Sequence, residues 1–307
     1  MTYAQASCQA VREAMARDAR VVVVGEDVGR GGIFQQYKGL QQEFGAARVI
    51  DTPISESTIM GAAVGMALAG LRPVVEMRVV DFALCAMDEI VNQAAKARYM
   101  FGGQSRVPLV ARMPIGLWSG SAGQHSQSLE AWFAHVPGLV VVTPATPQDN
   151  YGLLRSAMEC GDPVVYMEHK ELWGLQGEVD PAPIPLGRAR VVREGRDITL
   201  VTWSRTVHAA VEAAAKAKKS VEVIDLRTLW PWDRETVFRS VRKTGKLVVA
   251  HESVQVAGFG AEIAATVAEE LGVPVKRLAA PRITVGYSRP LEDEARVTAQ
   301  KILAALS

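Results

Sequence analysis

Two segments of the sequence carry residue types suited to proton transfer. Glu56 precedes a run rich in glycine and alanine, residues 61–70, within a predicted helix. Such a run costs helix propensity and is tolerable where a ligand or another backbone must come close. A glutamate in a first helical turn complements the helix dipole and needs no other task. The sequence leaves both interpretations of Glu56 open.

The second segment is a loop rich in glycine and serine, residues 119–128, which contains His125. It follows a predicted strand, and loops at strand ends of parallel sheets are where active sites form. An unperturbed histidine pKa of ~6.5 suits proton transfer near neutral pH. A polar loop histidine without a task is the alternative. His169, between Glu168 and Lys170 at another strand end, is ambiguous.

A third segment, Val21–Gly32, runs from an apolar stretch into several glycines and suggests a nucleotide loop. The dinucleotide pattern G-x-G-x-x-G, aligned from Gly29, requires glycine where Phe34 stands. No phosphate-loop pattern G-x-x-x-x-G-K-[ST] occurs in the chain. The segment is therefore predicted to be a glycine-rich turn that leaves a sheet.

The overall composition favours a globular protein in a reducing compartment. Among 307 residues, 34 Lys and Arg balance 33 Asp and Glu, which gives no electrostatic attraction for nucleic acid. The three cysteines, Cys8, Cys85 and Cys160, have no metal-type spacing. No hydrophobic signal region is evident, and no apolar run reaches the ~18–20 residues that span a membrane. We expect a cytoplasmic protein without a membrane contact.

The elements that must position these residues alternate between short apolar runs and longer helical stretches. The runs are rich in β-branched residues and uniformly apolar, which is typical of strands buried on both faces of a parallel sheet. The predicted strands are Val21–Val24, Pro73–Met77, Val107–Arg112, Leu139–Thr143, Pro163–Glu168, Ile198–Trp203, Val221–Leu226, Lys246–His251 and Val275–Ala279. The predicted helices include Thr58–Ala69, Leu84–Tyr99, Gln148–Met158, Val207–Lys218 and Ala261–Leu271.

This alternation predicts an α/β fold with two parallel-sheet domains. Residues 171–187 carry prolines at positions 181, 183 and 185. Proline at alternate positions excludes a helix and most sheet pairing, so this stretch is predicted to be an extended connector. The expected domains are residues 1–180 and residues 187–307.

Short runs spread in order over nearly the whole chain carry a family resemblance. They are Gly25–Gly29, Gly32–Phe34, Lys38–Leu40, Asp51–Glu56, Gly70–Pro73, Asp81–Phe82, Asn92–Lys96, Arg98–Gly103, Gln124–Gln127, His135–Leu139, Ile224–Leu229, Lys243–Gly245 and Gly260–Ala264. Together they are similar to the beta subunit of thiamine-diphosphate-dependent 2-oxo acid dehydrogenases. The runs at residues 80–83, 98–103, 168–170 and 175–178 look most like acetoin dehydrogenase beta subunits, and pyruvate-type subunits remain close.

The resemblance implies a transketolase-like pyrimidine-binding domain followed by a transketolase C-terminal-like domain. Glu56 matches the family glutamate that hydrogen-bonds N1′ of the aminopyrimidine and so promotes formation of the reactive ylid. Phe82 matches the aromatic residue that stacks on the pyrimidine, although core packing alone would also suit it. His125 matches the histidine near the thiazolium-bound substrate, where its type suits proton transfer.

Arg78 departs from the family pattern, because relatives commonly have an uncharged residue such as methionine there. If its side chain reaches the cofactor cleft, its guanidinium could pair with a carboxylate or phosphate of the substrate. A solvated or interface arginine is the alternative interpretation.

The G-D-G motif that holds Mg²⁺ and the diphosphate in thiamine enzymes does not occur in this chain. In the family that motif lies on the alpha subunit, and the active site forms between the two subunits. The resemblance therefore implies a heterotetramer of two alpha and two beta chains with a beta–beta contact. This heterotetramer would dock on a lipoyl-bearing acyltransferase core. The family also suggests a potassium site built from backbone oxygens near Ala157, Met158, Cys160 and Asp162.

Three functions remain open at this stage. The first is decarboxylation of a 2-oxo acid, or cleavage of acetoin, with transfer of the acyl unit to a lipoyl group. The second is ketol or acyl transfer in a dedicated pathway that uses a carrier protein. The third is a non-catalytic assembly subunit. The substrate and the acyl acceptor are not encoded in a recognisable motif.

Overall fold

A computed structural model describes all 307 residues and contains two sheets. The strands are β1 (Val21–Gly25), β2 (Val49–Asp51), β3 (Arg72–Glu76), β4 (Val110–Arg112), β5 (Val140–Val142), β6 (Val164–Tyr166), β7 (Arg190–Arg193), β8 (Ile198–Thr202), β9 (Val221–Asp225), β10 (Thr228–Trp230), β11 (Leu247–Val254) and β12 (Val275–Ala280). The predicted α/β class is confirmed, and each of the nine predicted strands overlaps an observed one.

Twelve α-helices surround the sheets. They are α1 (Tyr3–Arg17), α2 (Leu40–Phe44), α3 (Glu56–Leu68), α4 (Val80–Ala83), α5 (Ala95–Met100), α6 (Glu130–Ala134), α7 (Pro147–Glu159), α8 (Thr206–Lys216), α9 (Arg234–Thr244), α10 (Phe259–Leu271), α11 (Arg289–Ala295) and α12 (Ala299–Ala305). The predicted helix Leu84–Tyr99 is instead a 3₁₀ turn, a π-helical segment over Glu89–Ala94, and α5. No helix is long and apolar enough to cross a membrane.

The first sheet has seven strands in the order β10-β5-β6-β4-β3-β1-β2, and the second has five in the order β12-β11-β8-β9-β7. All pairs are parallel except β10 with β5 and β7 with β9. Strand β10 lies between β9 and β11 in the chain, so a segment from the second half completes the edge of the first sheet. This crossing was not predicted from the sequence.

Each face of the first sheet is covered, which explains why its strands are uniformly apolar. Helices α1 and α7 pack on one face around Val21, Val23 and Val110. The other face, with Val75 and Val165, belongs to a larger apolar core. That core continues without interruption to Trp203 and other residues around the second sheet, so the two sheets share buried apolar surface.

Candidate active site

The predicted site residues gather where strands of the first sheet end. Glu26 follows β1, Arg78 lies two residues after β3, and His125 belongs to the long loop after β4. Glu56 begins α3, which follows β2. Loops that leave a parallel sheet at its carboxyl edge bring side chains from distant positions together, and ligands bind there in many α/β proteins.

Glu56 is placed for contact with a ligand. It is the first residue of α3, and its half-buried carboxylate has no hydrogen-bond or ion-pair partner within the chain. The preceding Ser55 donates to Thr58 Oγ1 at 3.1 Å and does not cap the helix with its side chain. The positive end of the helix dipole therefore faces a carboxylate that no other protein group uses.

Glu26 lies near Glu56 and responds electrostatically to it. Its carboxyl is buried, and burial is the main reason that its pKa is raised above the ordinary value. The charge of Glu56 raises the pKa of Glu26 further, while the guanidinium of Arg78 opposes both effects. The two carboxyl groups and the arginine thus form one electrostatic unit at this edge of the sheet.

Arg78 is held by carboxylates of the chain itself. Its Nη1 donates to Asp27 Oδ2 at 2.7 Å and to Glu26 Oε2 at 3.3 Å, and its backbone N–H donates to Glu76 Oε1 at 2.9 Å. Both Arg78 and Asp27 have a φ near +60°, a conformation that costs about 1 kcal/mol or more outside glycine. The guanidinium is half-buried beside Glu26, yet it already has two anionic partners.

Phe82 and His125 lie next to each other although 43 positions separate them in the sequence. Their ring centroids are 5.1 Å apart and their planes meet at 84°, an edge-to-face contact. Phe82 belongs to the short helix α4, and the exposed His125 imidazole lies in its loop. A second contact joins the same two segments, because Gln127 Nε2 donates to Asp81 Oδ1 at 2.7 Å.

Lys170 is a site residue that the sequence did not single out. It is buried, and its Nζ donates to the backbone carbonyl of His125. Burial lowers the pKa of this ammonium to about 8, against the opposing charges of Asp81 and Glu252. The only sequence signal was its place two residues after a predicted strand, beside the ambiguous His169.

Two of the backbone oxygens expected to bind potassium, those of Met158 and Cys160, already have a cationic partner. Arg72 Nε donates to the carbonyl of Met158 at 2.9 Å, and its Nη2 donates to the carbonyl of Cys160 at 3.0 Å. The carbonyl of Ala157 accepts the N–H of Cys160, and Asp162 Oδ1 accepts from Arg98 at 2.6 Å. The potassium site stays a prediction, and these contacts do not favour it.

The side chains of this chain alone form no evident binding site for Mg²⁺. No group of three or more His, Cys, Asp or Glu side chains is arranged to hold a metal ion. The groups available at these strand ends are one free carboxylate, one aromatic ring and one exposed imidazole, a set of residue types suited to an organic ligand with proton chemistry. This set fits the pyrimidine half of thiamine diphosphate and lacks a handle for the diphosphate–metal half.

Comparison with known proteins identifies both parts of the chain. Residues 1–176 match the family described as "Transketolase, pyrimidine binding domain", and residues 187–302 match "Transketolase, C-terminal domain". A solved structure titled "Split gene transketolase, inactive beta4 tetramer" has a TM-score of 0.81. It is 23% identical, and the match covers 100% of this chain and 97% of that one. At this identity the likeness shows the fold alone.

Similar curated proteins cover the chain from end to end. The 2-oxoisovalerate dehydrogenase subunit beta of Bacillus subtilis is 42% identical over 100% of this chain and 97% of its own length. The acetoin:2,6-dichlorophenolindophenol oxidoreductase subunit beta of Cupriavidus necator is 42% identical over 97% and 94%. The pyruvate dehydrogenase E1 component subunit beta of Rickettsia conorii is 42% identical over 100% and 97%. The chain therefore belongs to the family of beta subunits of 2-oxo acid and acetoin dehydrogenases, built from transketolase-like pyrimidine-binding and C-terminal domains.

Proposed function

We propose that this chain is the beta subunit of a thiamine-diphosphate-dependent dehydrogenase that decarboxylates a 2-oxo acid or cleaves acetoin. The acyl unit would pass to a lipoyl group. The observation that carries the proposal is the free carboxylate of Glu56, which lies at a helix start beside Glu26 and has no partner in the chain. A carboxylate left free at such a place is explained by a ligand that supplies the missing hydrogen bond.

Thiamine diphosphate, when bound, supplies the electron sink that cleavage next to a carbonyl requires. Glu56 would hydrogen-bond N1′ of its aminopyrimidine and hold a proton there. The face of Phe82 would hold the flat ring, since stacking needs only an apolar surface of matching shape. Its edge contact with His125 brings that imidazole to the same place.

His125 would transfer a proton to or from the substrate. Its imidazole is exposed to solvent on this chain, so a bound substrate can reach it. Lys170 holds the backbone carbonyl of the same residue, which restricts where the imidazole can lie. General acid–base catalysis by such a positioned group contributes about 10²–10⁴-fold to a rate.

Arg78 would act on the substrate only indirectly. Its Nη1 pairs with both Asp27 and Glu26, so a substrate carboxylate would have to compete with these two anions for the charge of the guanidinium. We therefore assign it to the support of Glu26 and through it of Glu56. Arg78→Met tests this assignment: a lower turnover with unchanged substrate preference would support it, and a changed substrate preference would contradict it.

An alpha subunit would complete the site in a tetramer of two alpha and two beta chains, and would bring the residues for the diphosphate and Mg²⁺. The lipoyl-bearing acyltransferase core and the potassium ion are part of the same proposal. The full-length similarity to proteins named as beta subunits supports the alpha subunit, because a beta subunit implies a partner.

Reconstitution with the alpha partner, thiamine diphosphate and Mg²⁺ tests the proposal. Pyruvate, branched 2-oxo acids and acetoin are compared with an artificial electron acceptor. Glu56→Gln should lower turnover at least about 10²-fold with assembly intact, since the amide can still hydrogen-bond but cannot exchange the proton. The matched control is Glu212→Gln on the exposed surface of α8.

The outcomes separate the three functions. Full activity of Glu56→Gln would remove this residue from the mechanism, and a native complex without any activity would favour the assembly subunit. A formed complex that turns over none of the three substrates, yet transfers an acyl or ketol unit to a carrier protein, would favour the transferase.

A further inference from the structure

We propose that the second half of the chain positions His125 through two buried carboxylates, Glu252 and Glu292, which hold the backbone of its loop. The His125 loop is defined here as residues 116–128. This inference rests on the proposed role of His125 and assigns to the C-terminal region a task in the reaction. In it, Glu252 and Glu292 are positioning residues that touch neither substrate nor cofactor.

Glu252 connects three separate segments through a single oxygen atom. Its Oε1 accepts the backbone N–H of Leu117 at 3.0 Å and lies 2.9 Å from His169 Nε2. His169 Nδ1 accepts the N–H of Glu171 at 3.2 Å, which assigns the ring proton to Nε2 and makes His169 a donor to Glu252. Strand β11, the start of the His125 loop and the segment after β6 thus meet at one carboxylate.

The carboxylate form of Glu252 is strongly favoured. Burial alone would raise the pKa of Glu252, but the hydrogen bonds from His169 and from the N–H of Leu117, with the guanidinium of Arg205, outweigh burial and lower it. Hydrogen bonds to an ionised acceptor are about twice as strong as neutral ones. The hydrogen bond from the N–H of Leu117 to Glu252 is therefore a charge-assisted one.

Glu292 provides a second anchor three residues further along. Its Oε1 accepts the backbone N–H of Gly120 at 3.2 Å, and Arg296 Nη2 lies 3.7 Å from Oε2. Ser119 and Gly120 both have positive φ angles, 42° and 76°, so the chain bends sharply at this anchor. The carboxylate of Glu292 is buried, and it comes from α11 in the second half of the chain.

The other end of the loop is held from the first half of the chain. Lys170 donates to the carbonyl of His125, and Lys170 directly follows His169, the partner of Glu252. Gly116, at the start of the loop, has a φ of +88°, and a Cβ there would lie 1.9 Å from His169 Nε2. His169, which contacts Glu252, and Lys170, which contacts the carbonyl of His125, are thus adjacent in the chain.

Packing of the loop is incomplete on the side that faces the second sheet, although Leu117 and Ala122 are buried and Trp118 contacts Phe34. A cavity of about 170 Å³ lies there, lined by Leu117 and Ser126 of the loop and by Glu252, Ser253 and Val254 of β11. Inside such a gap the van der Waals contacts that would hold a packed segment are missing. Beside this cavity the polar anchors at Leu117 and Gly120 supply contacts that packing does not, and they restrict where the loop lies.

Paired variants test the proposal in the reconstituted complex with alpha subunit, thiamine diphosphate and Mg²⁺. Glu252→Leu and Glu292→Leu remove the acceptors, whereas Glu252→Gln and Glu292→Gln keep a carbonyl oxygen for the same N–H groups. We expect each leucine variant to lower kcat about ten- to a hundred-fold, because a displacement of about 1 Å costs that much. The KM for thiamine diphosphate should not change, and the glutamine variants should recover most of the loss.

Hydrogen–deuterium exchange of the same complexes gives a readout that does not depend on activity. The amides of residues 116–128 should exchange faster in the leucine variants than in the glutamine variants or the unmodified chain. If Glu252→Leu does not fold, Glu292→Leu carries the test, because the one hydrogen bond from Glu292 to the loop is that with Gly120.

Unchanged exchange of the loop in the leucine variants would overturn the proposal. So would faster exchange with unchanged kcat, or an equal loss of kcat in the glutamine variants. His125→Gln is measured beside them. If it keeps full turnover, the proposed proton role of His125 fails, while the exchange data still decide whether the two carboxylates hold the loop.

Discussion

Replacing Arg112 by methionine should severely destabilise the chain, because it would leave a carboxylate buried without its charge partner. Arg112 and Glu168 are both fully buried and lie next to each other on β4 and just after β6. Arg112 Nε and Nη2 donate to the two carboxylate oxygens at 2.8 and 2.7 Å, and Nη2 also donates to Ser7 Oγ at 2.9 Å. After the substitution, only Asn150 Nδ2, at 2.9 Å, would still donate to Glu168.

The size of the effect follows from what remains buried. Breaking a buried ion pair on one side typically costs about 3–5 kcal/mol. A domain's whole free energy of unfolding is of order 5–15 kcal/mol, so Arg112→Met would remove about a fifth of it or more. At about 2–4 °C per kcal/mol, the unfolding midpoint should fall by roughly 6–20 °C.

Urea unfolding followed by circular dichroism measures the loss, and the double variant Arg112→Met with Glu168→Met is the decisive control. Replacing both partners of a buried pair by apolar residues of similar volume is often neutral. The double variant should therefore be more stable than Arg112→Met alone. A loss below about 1 kcal/mol in the single variant, or additive losses in the double variant, would refute this account of the pair.

Three further predictions concern other buried contacts. Burial, with the charge of Asp149, raises the pKa of Asp225 to about 7, above its unfolded value of 3.8. The folded chain thus binds more protons between these pH values, and this group's contribution to stability is lost as pH rises toward 7. The free energy of unfolding, measured by denaturation at pH 5 and pH 8, should therefore fall less between these pH values in Asp225→Asn than in the unmodified chain. Arg72→Met should lower the free energy of unfolding by about 1–3 kcal/mol in choline chloride, since two carbonyls near the end of α7 lose a charged donor. Recovery of this free energy in potassium chloride would show that the ion can replace the guanidinium. Gly116→Ala should displace His169 and lower both kcat and the unfolding midpoint, and unchanged kinetics would contradict the close contact seen here.

The strands were predictable because their burial is recorded in their composition. Val21–Val24 has no polar residue and is buried throughout, whereas Val221–Leu226 was predicted in spite of Glu222 and Asp225, one on each face. Strand β7, Arg190–Arg193, was missed because it is a half-buried edge strand flanked by arginines. Strand β10 was missed for another reason: it pairs antiparallel with β5, 85 or more positions away, and no local pattern specifies such a partner.

The site was predictable as a set of residue types and less so as a geometry. Glu56 was expected at a helix start and His125 in an accessible loop, and the structure places both there. For Arg78 the sequence left two interpretations open, a residue of the cofactor cleft or a solvated or interface arginine. In the structure it is paired with two carboxylates. The buried position of Lys170 depends on the loop that packs over it, so it could not be read from its neighbours in the sequence.

The two halves of this chain cannot be treated as a catalytic part and a passive appendage. Strand β10 closes the edge of the first sheet at β5, an edge that would otherwise expose unpaired backbone groups. Glu252 and Glu292 reach from the same half to the backbone of the His125 loop. The boundary predicted at residues 171–187 therefore divides the chain in sequence only, because contacts between the two halves cross it. The position of the His125 loop depends on contacts from both halves, because Glu252 and Glu292 hold it from one side and Lys170 from the other, and the proposed proton transfer by His125 would depend on these contacts as well.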